Sequence, residues 1–207
     1  MLKKPSESRF IVAGNHRCLD FINTQIIEKG RPVDLLINFS DLVKWLKSAE
    51  FLDSAEAKKV LKRWDNKPQG ERTLERACAF RAILREMVEK IVKGKSVQQP
   101  TIDAINDLLS HGIGYTQLTR AQDGFETRFH IESDAPIRLI VPIAESAGDL
   151  LCHSNLSLIK KCENPNCVLY FYDVSKNHTR RWCSMSICGN RSKVAAHYRR
   201  HRHTNDK

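Results

Sequence analysis

Cys162, Cys167, Cys183 and Cys188 stand in a C-x4-C-x15-C-x4-C arrangement, and this spacing constrains the fold more than any other feature of the chain. Two close pairs bracketing a loop suit a tetrahedral zinc ion. Each pair supplies two thiolates from one turn, and the intervening hairpin brings the pairs together. Asn164-Pro165-Asn166 is turn chemistry inside the first pair. Val168–Tyr172 reads as a strand, Asp173–Thr179 as a turn and Arg180–Trp182 as a returning strand. A helix is expected from Ser184 or Ser186, with Cys188 in its first turn, where backbone amides favour anionic sulfur. Two disulfides or four unrelated buried cysteines are the alternatives. The chain has 7 cysteines, an odd count, and its opening MLKKPSESRF lacks an apolar export signal, so a reduced, cytoplasmic setting and one structural Zn²⁺ are favoured. Four thiolates leave no coordination position for water, and no catalysis is expected of this module. Cys18, Cys78 and Cys152 stand apart and read as small buried hydrophobes.

Charge singles out the same region. Residues 151–207 carry 11 Lys/Arg against 3 Asp/Glu, whereas residues 1–150 carry 23 against 21. A polyanionic partner is therefore sought at the C-terminal end. From His178 to His203 the sequence has seven Arg/Lys and no acid. On a helix, Ile187, Val194 and Tyr198 share one side and are expected to dock on the zinc hairpin. Asn190, Lys193, His197, Arg200 and His201 share the adjoining side. Arg180, Arg181, Asn190, Arg191, Lys193, His197, Arg199 and Arg200 are the candidate nucleic-acid contacts, most of them to phosphate. A solvated basic tail is the plain alternative.

Upstream, helical periodicity dominates. Ser40 and Ser54 are read as N-caps of two short helices, Thr73–Val92 as the longest helix, Thr101 as the start of another, and Leu139–Leu151 as a helix able to hold Pro142 in its first turn. Tyr115–Thr119 and Thr127–Ser133 alternate polar with apolar residues around a turn and read as a β-hairpin. The expected fold is mainly α with a small β-hairpin (α+β): a helical domain over 1–155 and a small treble-clef-like or zinc-ribbon module over 156–207. The longest apolar run, Leu139–Ala144, is far short of a membrane span.

The stretch CENPNCVLYFYDVSKNHTRRWCSMSICGNR closely resembles the CGNR zinc finger, named for the residues that here are Cys188-Gly189-Asn190-Arg191. Gly14-Asn15, Leu19-Asp20 and Asn23-Thr24 resemble the GN…LDxxNT opening of the ABATE domain, and Pro142–Ala147 resembles it as well. The resemblance implies a stress-related transcription regulator with a C-terminal zinc module, and the metal role passes to the same four cysteines. Lys160-Lys161 stands where an Arg-rich pair is common, which keeps charge but loses bidentate capacity.

Asn15, Asp20 and Asn23 are polar residues among apolar neighbours, and Arg81 and Arg85 are expected to pair with Asp20 across the core. These five form either a small-molecule pocket or a hydrogen-bonded cluster that fixes the N-terminal segment. No phosphate-binding loop, GxSxG or HExxH motif is present, so no enzyme is expected. The reading is a DNA-binding zinc-finger regulator, open to a small-molecule effector and to homodimerisation. The alternatives are an RNA-binding zinc ribbon, or a protein-interaction module attached to an unrecognised enzyme domain. Cys183→Ser is expected to lose zinc and unfold the chain from about residue 160 onward, leaving the first domain folded.

Overall fold

In the computed structural model, which describes residues 9–112, 114–121, 124–131 and 135–194, the fold begins at a crowded bend. A Cβ on Gly14 would lie 2.8 Å from Leu19 Cβ and 2.9 Å from Asp20 Oδ1, so only glycine fits there. Asn15 follows in the left-handed region at φ 56. His16 then caps the short helix α1 (Arg17–Ile22), its Nδ1 accepting from Cys18 N at 3.3 Å.

The next two strands, β1 (Gln25–Glu28) and β2 (Arg31–Asp34), form a hairpin that the sequence reading missed. Lys29 at φ 49 and Gly30 at φ 78 make its two-residue turn, a geometry that matches strand twist. Lys-Gly flanked by Ile26-Ile27 and Val33 is the signal that could have found it.

Five longer helices follow: α2 (Phe39–Ser48), α3 (Ser54–Trp64), α4 (Pro68–Val92), α5 (Gln99–Leu109) and α6 (Val141–His153). Their caps correct the sequence reading by one or two residues. Asn38, not Ser40, caps α2, and Asp53, not Ser54, caps α3 through a reciprocal capping box with Glu56. Asn and Asp carry a side-chain oxygen at the right reach for the first free amides. Helices α4 and α5 begin at Pro68 and Gln99, earlier than expected, and α6 holds Pro142 in its first turn. A proline has no N–H to lose at a helix start.

Strands β3 (Gly114–Ala121) and β4 (Gly124–Ile131) pair antiparallel from Gly114↔Ile131 to Ala121↔Gly124. Strands β5 (Ile159–Lys161) and β6 (Tyr170–Tyr172) form the third two-stranded sheet. The partner of β6 is therefore the segment before the first cysteine, not Arg180–Trp182. Among the described residues one backbone–backbone bond, Glu163 N to Arg181 O at 3.0 Å, reaches that expected returning strand.

The chain is mainly helical, with small antiparallel hairpins and a four-cysteine module. Its larger core gathers Leu19 and Phe21 of α1, Trp45 and Leu46 of α2, Leu84 and Met87 of α4, and Ala144 and Leu150 of α6. Phe21 and Trp45 meet at 4.8 Å between ring centroids. Ile159 of β5 and Tyr170 of β6 belong to the same cluster. A second cluster joins Ala13, Leu169 and Phe171 to Cys162, Cys183 and Cys188. The β5–β6 sheet thus packs into both. Cys18 is fully buried as expected, but Cys78 is half-buried and Cys152, near the end of α6, is exposed. Among the described residues no helix is long and apolar enough to cross a membrane.

Candidate metal centre

Two turns and the short sheet between them bring the four cysteine sulfurs together. Asn164 Oδ1 accepts from Asn166 N at 3.0 Å, and Asn164 O accepts from Cys167 N at 2.9 Å. This closes the first pair. Cys162 N donates to Leu169 O at 2.9 Å, tying the first cysteine to the residue before β6. The second pair is closed by a wide turn, Met185–Gly189, in which the Cys188 and Gly189 amides both donate to Ser184 O at 3.0 Å. The expected helix begins beyond it, over residues 190–194.

The four Sγ atoms lie within 4.8 Å of one another. Cys183 Sγ is 3.8 Å from Cys167 Sγ and 3.6 Å from Cys188 Sγ. Zinc–sulfur bonds of about 2.3 Å in a tetrahedron place sulfurs about 3.8 Å apart, the spacing of the two closest pairs here, so the cluster is of the size that one zinc ion fills. The Cys162 sulfur is crowded by the Cys167 and Cys183 thiols and accepts from Cys183 N at 3.4 Å, and this company draws it far below the ordinary thiol range. The same contacts with Cys162 push Cys167 and Cys183 upward. Crowded thiols of this kind release their protons to a divalent cation. The centre is structural chemistry: four sulfurs hold one ion and shape the chain around it.

Asp173, at the turn after β6, organises the rest of the module. It is fully buried. It accepts from Lys160 Nζ at 2.7 Å, Ser175 Oγ at 2.6 Å, Ser175 N at 3.0 Å and Arg180 N at 2.9 Å. Lys160 Nζ also donates to His178 O at 2.6 Å, so it spans the turn from both sides.

The candidate nucleic-acid contacts divide by position. Arg180 is turned into the module, with its Nε donating to Trp182 O at 2.9 Å, its Nη2 donating to Ala13 O at 3.1 Å and to Cys183 O, and its guanidinium 4.3 Å over the Phe171 ring. Arg181 is exposed, paired with Glu163 at 2.5 Å and stacked 5.2 Å from Trp182. Asn190, Arg191 and Lys193 lie on the residues that follow Cys188, with Asn190, Arg191 and Lys193 all exposed. His197, Arg199 and Arg200, like His201 and Tyr198, lie outside the described residues. The apolar side expected to dock is open where it is described: Ile187 is 36% and Val194 54% exposed.

The N-terminal motif residues meet this module directly. Gly14 O accepts from Tyr172 N at 2.8 Å, and Asn15 Nδ2 donates to Tyr172 O at 3.0 Å. The Asn23 amide bonds both ways to the Tyr170 backbone, at 2.8 and 2.9 Å. Residues 159–201 match the family described as the CGNR zinc finger, and residues 15–154 match ABATE, described as "Putative stress-induced transcription regulator". The chain belongs to the ABATE family. No curated protein matches it.

Within the ABATE domain, the five candidate ligand residues separate into two groups. Asn15, Asn23 and Arg85 reach the zinc module. Arg85 Nη2 donates to Val168 O at 2.7 Å, its Nη1 donates to Ile22 O at 3.2 Å, and its guanidinium lies 5.4 Å from the Tyr170 ring centre. Arg81 does not meet Asp20. It is 2% exposed and grips Asp34 with two donors, one at 2.8 Å, while bonding Thr24 Oγ1 at 2.7 Å. The expected Asp20–arginine pair is thereby corrected: Asp34 offers a bidentate carboxylate in the hairpin that faces Arg81. Burial works against ionising Asp34, but Arg81 and the Leu36 amide outweigh it and hold the carboxyl below its usual value. Asp20 instead receives the amides of Ala13 and Gly14 at 3.0 and 2.8 Å.

Two clefts open on either side of His16 and Arg17 in the ABATE domain. One, of about 440 Å³, is bounded by Phe51 and by Pro142, Glu145, Ser146 and Asp149 of α6. The other, of about 290 Å³, lies between the start of α1 and the end of α2 and is bounded in part by Asp20 and Trp45. The two motif segments that carry the ABATE resemblance, far apart in the chain, converge here. Cys18 N donates to Ser146 Oγ at 3.0 Å, and His16 Nε2 lies 3.3 Å from Asp149 Oδ2. Sequence reasoning did not link His16 to α6; the shared motif membership was the available signal.

Proposed function

We propose that the protein is a transcription regulator whose zinc module binds duplex DNA and whose helical part adjusts that binding when a small ligand occupies one of its clefts. The observation that carries the DNA reading is the exposure of Asn190, Arg191 and Lys193 on residues held in place by Cys188, in a stretch with no acid from His178 to His203. A rigid cationic surface neutralises phosphates without an ordering cost. Asn and Arg also match adenine and guanine edges in the major groove. The contact set is Arg181, Asn190, Arg191 and Lys193, continued by His197, Arg199 and Arg200. Arg180, spent on carbonyls, stiffens the platform. The ligand reading is supported by the two clefts around His16 and by the bonds that tie this same segment to β6.

Fluorescence anisotropy of the zinc-loaded chain on duplex DNA and structured RNA, over a salt series, tests the reading. Duplex affinity is expected to fall steeply with salt. Arg191→Glu with Lys193→Glu is expected to weaken it about tenfold or more and to flatten the salt slope by about 0.9 for each phosphate no longer neutralised. Selective RNA binding overturns the DNA assignment, and unchanged affinity of the double variant removes this face as the contact surface.

A further inference from the structure

Among the described residues Asp20 is a buried acid without a cation. Its residue is 8% exposed, one carboxyl oxygen is held by two backbone amides, and among the described residues no Lys, Arg or His pairs with it. Arg81, the expected partner, is committed to Asp34. A carboxylate removed from water is costly to ionise unless a counter-charge is supplied. Asp20 lines the 290 Å³ cleft together with Asn15, His16, Trp45, Ser48 and Glu50. The cation on the same wall, Arg17, is taken up at its lip: it lies 3.1 Å from Glu50 and 5.2 Å from the Phe51 ring centre. The His16 ring faces Ser146 and Asp149 of the neighbouring cleft. With Arg17 balanced by Glu50, the wall as formed by the described residues retains one uncompensated negative charge, on Asp20.

We propose that this cleft binds a small organic ammonium ion, with the Asp20 carboxylate as its counter-ion. The proposal rests on reading the helical part as the sensing part and gives its ligand a chemical class. Burial, offset in part by the Gly14 and Ala13 amides, pushes the Asp20 carboxyl up to about 6, so near neutrality it is anionic and able to pair. The two residues whose amides Asp20 holds are those on which the zinc module rests: Ala13 O receives Arg180 Nη2 at 3.1 Å and Gly14 O receives Tyr172 N at 2.8 Å. A cation that draws Asp20 toward the cleft acts on both contacts.

The test uses the zinc-loaded full chain, with methylammonium, n-butylammonium and benzylammonium as probes and benzyl alcohol as the neutral counterpart. Binding is followed by calorimetry and by the Trp45 indole resonance. At least one ammonium is expected to saturate at millimolar concentration or below. Asp20→Asn, which keeps an acceptor for the Ala13 and Gly14 amides, is expected to weaken it about tenfold. Ala49 also lines the cleft, beside Ser48; Ala49→Leu, which narrows the cleft and leaves Asp20 in place, is expected to do the same and decides the matter if Asp20→Asn does not fold. The proposal is overturned if no ammonium saturates, if benzyl alcohol binds as tightly as benzylammonium, or if the cleft variants that fold bind as wild type. Duplex affinity is measured in parallel. Saturable ammonium binding by a chain that ignores DNA upholds the cleft and removes the regulator reading; DNA binding without ammonium binding does the reverse.

Discussion

Asp20 and Asp173 are both carboxylates nearly out of water, and their surroundings drive them in opposite directions. Burial dominates at Asp20, where two amides only partly offset it, and lifts the carboxyl from 3.8 to about 6. The neighbouring Cys18 thiol is raised to about 12 by its own burial and then by the Asp20 charge. At Asp173 burial also opposes ionisation, but Lys160, Ser175 and the Arg180 amide overcome it and hold the group well below its ordinary value. Linkage turns these directions into opposite pH responses. A raised acid favours the folded state while it stays protonated, so the Asp20 contribution is lost as pH rises from about 4 to about 6. The stability of wild type minus that of Asp20→Asn, from urea unfolding, should therefore fall by up to about 3 kcal/mol across that window and stay level above it. A flat difference would show that Asp20 is solvated. The sequence marked Asp20 as a polar residue among apolar ones. It misassigned the partner because Arg81 and Arg85, one helical turn apart, both reach the stretch at and just after the end of α1, at Thr24 and Ile22, and the competing Asp34 sits in a hairpin whose turn signal is weak.

At the scale of elements, the turn from Asp173 to Arg180 is the device that closes the zinc module, since four donors from three positions converge on one carboxylate. Asp173→Asn removes the charge opposite Lys160 while leaving the shape, and a buried pair broken on one side costs about 3 kcal/mol. The expected outcome is a lower thermal midpoint, together with weakened zinc retention in a competition with a chromogenic chelator. A variant as stable as wild type would make Lys160 the dispensable partner. The helices were legible because their apolar stripes repeat at helical spacing; their starts were not, because Pro68 and Pro100 resemble linker residues until placed in a first turn. The zinc ligands were legible by spacing alone. The strand pairing was less so, for Arg180–Trp182 has the residues of a strand and yielded the place beside β6 to Ile159–Lys161, whose Ile159 is pulled into the larger core.

Across the whole molecule, the division at residue 155 does not coincide with a gap in packing. Tyr170 lies in the core of the helical part, Arg85 reaches Val168 O, and Ala13 joins the cysteines. Unfolding on loss of a ligand cysteine is accordingly expected to spread beyond the segment after residue 160. Zinc chelation should raise hydrogen exchange in residues 13–24 as well as 159–190, with α3 and α5 unchanged. Exchange confined to the module would mean that the two cores are energetically separate. The Asn23 side chain carries one more consequence. By donating and accepting at Tyr170 it serves as a substitute peptide group, and with Gly14 and Asn15 it closes the open edge of β6, so the sheet stops at two strands. Stripped of that amide, the strand would offer unpaired backbone groups to its own copies, the usual starting point for strand-to-strand aggregation.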